Sequence, residues 1–124
     1  MIAYTAKISN LDERDLNGIT LKAGSIDLSS LKKIPVLLEF NHENPIGYAE
    51  NFIEDNGFLI AELLCTQKLD EHTRFGISFR IQSDAKDIRV GCEGDIIIGD
   101  GVDVFAVSIV ERPADLGTGI QSVV

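Results

Sequence analysis

The sequence predicts a mainly β domain with short helices, built as a small closed or partly closed antiparallel barrel, and three observations carry that prediction. Apolar and polar residues alternate through most of the chain, as in Ile2–Ser9 and Val102–Val110. β-branched residues are frequent in these stretches, which suits a pleated, half-buried surface. Turn signals such as Asn17-Gly18 and Asp55-Asn56-Gly57 separate them. A sheet this rich in strands closes most easily on itself, because closure removes exposed edges.

Taken in order, Ile2–Ser9 is the first strand. A polar connection follows, then the short strand "ITLKAG" beginning at Ile19. The stretch "SIDLSSLKKI", Ser25 to Ile34, carries the best helix pattern, with Ser25 or Asp27 as cap, two lysines near its end and Pro35 to stop it. Val36–Phe40 is a strand running into Asn41-His42. "PIGYAENFIED" continues in extended form to the Asp55-Asn56-Gly57 turn, and Phe58–Leu64 returns from it. "TQKLDEHTRF" reads as a short helix or an ordered loop. Gly76–Gln82 is a strand, and "IRVGCEG", "DIIIGDG" and Val102–Val110 complete the sheet. The expected total is roughly eight strands.

The whole chain of 124 residues is expected to be one domain, 1–124, since it is long enough for a single core and too short for two. Aromatic residues make up only 6% and tryptophan is absent, so aliphatic side chains must fill that core. A formal net charge of −9 argues against direct nucleic-acid binding, which needs clustered Lys and Arg, and against docking on an anionic membrane. The first ten residues lack the basic and apolar regions of a signal peptide, and the apolar runs are too short to span a bilayer. Cys65 and Cys92 have no metal-ligand spacing and read as reduced, buried thiols. His42-Glu43 has no second histidine four residues on, and no Gly-rich phosphate loop is present. No cofactor and no metal are expected.

Three stretches carry a more specific signal. The first is "VLLEFNHENPIGYAENFIEDNGFLIAEL", with Asn41-His42 after a strand, then Ile46-Gly47 and a hairpin. The second is "FGISFRI", with Ser78 inside a strand, and the third is "VFAVSIVERPAD". In this order they resemble the tailed-phage prohead protease family, serine proteases that trim capsid components during head maturation and share a fold with the herpesvirus assemblins. The resemblance implies a barrel of that type, with Ser78 as nucleophile and His42 as base. It implies a place in a phage head, in the virion capsid assembled in the host cytoplasm, with the major capsid protein as partner and self-association on the capsid lattice.

Such chemistry has its own requirements. A serine hydroxyl needs a neutral imidazole within hydrogen-bond reach to take its proton. An acid must hold the other imidazole nitrogen as N–H, and losing that acid from a Ser-His-Asp triad costs about four orders of magnitude in turnover. Here the sequence departs from the family. Ala106 stands where the family's glutamate is expected, Arg80 replaces the glycine after the nucleophile, and the segment between His42 and Ser78 is shorter than usual. On a regular strand the nearest acids, Asp103 and Glu111, would fall on the face opposite Ala106. His72 lies six residues before Ser78, away from the position where the herpesvirus enzymes use a second histidine. The expectation is therefore a head protein that keeps the protease fold as architecture, decorating or stabilising the capsid. The alternative is a serine-type maturation protease cutting capsid or scaffold proteins. Taken singly, His42 reads as a turn histidine, Ser78 as a strand serine, Ala106 as core filler and Arg80 as an outward charge.

Overall fold

Ten strands and no helix make up the described residues, 1–123 of the computed structural model. They are β1 (Ile2–Asn10), β2 (Ile19–Leu21), β3 (Ile34–Leu38), β4 (Pro45–Asp55), β5 (Phe58–Cys65), β6 (Arg74–Ile81), β7 (Ile88–Val90), β8 (Ile96–Ile98), β9 (Val102–Val110) and β10 (Gly119–Val123). Seven of them form one curled sheet in the order β10-β1-β5-β4-β3-β9-β6, and β2-β8-β7 form a second. The large sheet is a half-barrel. All its pairs are antiparallel except β3 with β9, and in the small sheet β2 runs parallel to β8.

The core follows from strand alternation. Tyr4, Ala6 and Ile8 of β1, Leu59, Ala61 and Leu63 of β5, and Val102, Val104 and Val107 of β9 meet inside the curl. Leu21 and Ile98 of the small sheet join them, so that sheet covers one open side of the half-barrel. Side-chain hydrogen bonds tie the remaining gap. The Thr118 hydroxyl accepts the Phe75 N–H at 3.1 Å and donates to the Phe75 carbonyl at 3.1 Å. This links β6 to the segment that leads into β10. Nearby, Asp115 Oδ2 accepts from the Ser9 hydroxyl at 2.8 Å and from the Asn10 N–H at 2.9 Å, tying the same segment to β1.

One element read from the sequence is corrected, and one left open is settled. Ser25–Ile34 is not a helix. Its cap signal is real but serves one turn, in which Asp27 Oδ1 accepts from the N–H and hydroxyl of Ser29. The apolar residues Ile26 and Ile34 enter the core from an extended chain, and Pro35 lies inside β3 opposite Tyr48. The stretch from Thr66 to Thr73 is an ordered loop, pinned where the Leu69 N–H donates to the Tyr4 hydroxyl at 2.8 Å. Of the two thiols, both free, Cys65 is buried and Cys92 is exposed in the β7–β8 turn region, contrary to the expectation for Cys92. Burial pushes the Cys65 thiol up to about 11.

The Asp55-Asn56-Gly57 turn is as expected, with φ of 49° at Asn56 and 79° at Gly57, the left-handed pair a tight hairpin requires. Gly47 answers a different need. A Cβ there would fall inside the contact radius of the Leu64 carbonyl oxygen on the neighbouring strand, so only hydrogen fits.

Candidate functional site

The candidate residues come from β6, β9 and the β3–β4 loop, and a bulge decides which of them share a face. Ser78 pairs with Ala106, but the next residue, Phe79, pairs with Val104, leaving Phe105 as the extra residue of β9. On β6, Phe75, Ile77 and Phe79 pack toward the core, so Gly76, Ser78 and Arg80 face outward. On β9, Val102 and Val104 point inward before the bulge, and Val107 and Ile109 after it. Asp103, Phe105, Ala106 and Ser108 therefore all lie on the outer face. The expectation that Asp103 falls opposite Ala106 is overturned, because it assumed a regular strand.

The β3–β4 loop folds back across this outer face. Glu39 and Phe40 both have left-handed backbones, with φ of 47° and 60°, which turns the chain sharply at the end of β3. Two hydrogen bonds hold that turn to β9 and the residue after it. The Glu39 N–H donates to the Ile109 carbonyl at 2.9 Å, and Glu39 Oε1 accepts the Glu111 N–H at 2.8 Å. Phe40 then lies directly over Gly76, where a Cβ would come within 3.1 Å of its ring. Under this cover Leu37, Ala106 and Ser108 are buried although they point away from the core. The Ser108 hydroxyl has no hydrogen-bond partner among the described residues.

His42 is exposed at the end of this loop, its ring stacked near Phe105 with centroids 6.1 Å apart and planes 22° from parallel. The Arg80 guanidinium also sits over Phe105, 4.9 Å from the ring centre, and pairs with Asp103 at 3.2 Å. Ser78 is half-buried on the same face, beside Ala106. The fold thus brings His42, Ser78, Ala106, Arg80 and Asp103 to one patch of surface.

It does not assemble them into a relay. Among the described residues no hydrogen bond joins His42 to Ser78, and no carboxylate accepts from either imidazole nitrogen. Asp103, the one acid of β9 on the right face, is engaged by Arg80. Ala106 is fully buried and offers only a methyl group. His72 is exposed in the β5–β6 loop, with Glu71 as its ionic neighbour. No group of three or more His, Cys, Asp or Glu among the described residues is arranged to hold a metal ion.

Sequence reasoning missed an apolar concavity. A cleft of about 420 Å³ runs along the edge of β6 that faces away from β9, lined among others by Leu16, Ile19, Phe40, Ile77, Phe79 and Pro113. Neither Ser78 nor His42 lines it. Its walls come from segments far apart in the chain, so no local pattern announces it. Asp115 stands at its margin, and burial holds its carboxyl above the usual carboxylate value despite the donors from Ser9 and Asn10. No family model, curated protein or solved structure matches the chain.

Proposed function

We propose that this protein is a structural component of a tailed-phage head, using a prohead-protease-like half-barrel as a binding module that decorates or braces the capsid without cutting it. One observation carries the non-catalytic part of the reading: the residue in register with Ser78 is the buried methyl of Ala106, and no acid among the described residues holds the His42 ring. Without an acid the imidazole has nothing to fix its tautomer or to support its positive charge. The outward side chain of Ser78, which does not line the cleft that its neighbours Ile77 and Phe79 line, is consistent with the same reading. The phage-head part rests on the resemblance of the three stretches around His42, Ser78 and Ala106. The proposed partners are the major capsid protein and further copies of this chain on the lattice.

The test has two arms. A fluorophosphonate probe should label the native protein no more than it labels Ser78→Ala; labelling lost in that variant would establish a reactive serine and restore the protease reading. In purified particles the protein should be present in fixed proportion to the capsid subunit. Its absence from mature virions, with capsid precursors cleaved, would remove the structural role.

A further inference from the structure

The edge of β6 combines two features that are rarely exposed together, unpaired main-chain groups and an apolar cleft beside them. In an antiparallel ladder alternate residues turn their N–H and C=O toward the partner strand, and the others turn them away. Phe75 turns its groups away from β9, because both are bonded to Thr118. By the same alternation Ile77 and Phe79 direct theirs to that edge, and Ser78 bonds toward β9. Beyond Thr118 nothing among the described residues continues the ladder: β6 is the last strand of the large sheet, and no hydrogen bond from these residues reaches the Ile77 or Phe79 main chain from that side. The cleft lies against this stretch, walled by Leu16, Ile19, Phe40 and Pro113.

The seam where β6 and β10 begin differs. The hollow there is polar, lined by Lys7, Glu71, Arg74 and Gln121 among others. An apolar groove beside free main-chain groups suits an added strand, whose backbone supplies affinity and whose alternate side chains fill the groove. Charge narrows the occupant. Three carboxylates, Glu13, Asp15 and Asp115, line the cleft against one guanidinium, Arg112, on a chain of net charge −9.

We infer that the edge of β6 at Ile77 and Phe79 is a docking site for an extended segment of a partner protein, apolar at alternate positions and carrying Lys or Arg between them, which adds to the sheet as an eighth strand. The inference goes beyond the head-protein reading and needs only the edge and the cleft. Its failure would leave the virion test untouched, and the absence of the protein from virions would leave this site standing.

Amide hydrogen exchange tests it directly. The probe is an eight-residue peptide alternating valine with lysine, compared with the same peptide carrying glutamate for lysine. The lysine peptide should slow exchange at the Ile77 and Phe79 amides at least tenfold, with the Ser78 amide unchanged, and the glutamate peptide should not. Leu16→Lys, at an exposed position of the cleft wall, should abolish the protection without unfolding the protein, and Glu13→Lys should weaken peptide affinity at least threefold. No slowing with the lysine peptide would overturn the site, and equal slowing by both peptides would overturn the basic partner. If the two amides are already protected in the free protein and it sediments as a dimer, the occupant is a second copy, and the partner segment is ruled out.

Discussion

At Ala106 a single methyl fills a fully buried position on the outer face, next to Ser78 and beneath the β3–β4 loop. In the proposed reading this position matters most, because a methyl stands where a protease would need a proton-holding group. Ala106→Glu places a carboxylate in a space that holds three hydrogens. It should lower stability in urea titration by at least about 2 kcal/mol, from desolvation of a group with no donor at hand. Asp115 gives a second residue-level expectation. Its folded carboxyl lies above its ordinary value of 3.8 because burial outweighs the donors from Ser9 and Asn10. The folded state then binds more protons than the unfolded one, so this group's contribution to stability falls as pH rises above 3.8. Asp27 and Asp100 act in the opposite sense. Hydrogen bonds from Ser29 to the first, and from the Asp87 and Lys86 amides to the second, hold them below that value, so their contributions are lost as pH falls through the lowered range. Asp115→Asn should flatten the decline on the alkaline side of 3.8 and leave the acid limb in place, as measured by urea midpoints across the pH range.

Strands were legible where a side chain's direction could be read from its neighbours, and much less so where that direction changed. Val102–Val110 was delimited correctly from alternation alone, yet the bulge at Phe105 is silent in the sequence, since a run of apolar residues fits either face. That one extra residue moved Asp103 to the face of Ser78 and made Phe105 the common contact of His42 and Arg80. β10 was missed because Gly119–Val123 is short and half polar, and only pairing with β1 makes it a strand. The expected helix at Ser25–Ile34 failed because tertiary burial of Ile26 and Ile34 outweighed a local cap. Strand β3 stops at Leu38 instead of Phe40 because Glu39 and Phe40 turn left-handed to bring the loop over Gly76. Gly47 shows an element-level constraint that the sequence displays without its cause. Gly47→Ala must push β4 from β5 at the Cys65 pairing, and a loss of about 3 kcal/mol or more, on the scale of other severe steric changes, is expected in chemical denaturation.

For the molecule as a whole, the half-barrel depends on a few polar ties across its seam more than on a closed ladder. Thr118 is buried and serves Phe75 twice, as acceptor and as donor. Thr118→Val keeps the volume and leaves both Phe75 main-chain groups unpaired, which should cost about 2–4 kcal/mol. The Phe75 amide should become open to exchange while those between β1 and β5 stay protected, and uniform deprotection would show that the seam is not a separate unit. The fold class was readable because it depends on averaged alternation. The site was readable only in part, because a cleft and a shared face are products of long-range assembly.

The position of β1 between β5 and β10 bears on how the chain is made. During synthesis β1 leaves one side unmatched until β10 emerges, and β3 likewise waits for β9, some seventy residues later. A fragment ending before β9 therefore holds the strands of the small sheet but lacks β9, β10 and a complete large sheet. Joining the two ends and opening the chain at the Asn56-Gly57 turn would bring β10 and β1 together in consecutive order, and that rearranged protein should fold faster than the original.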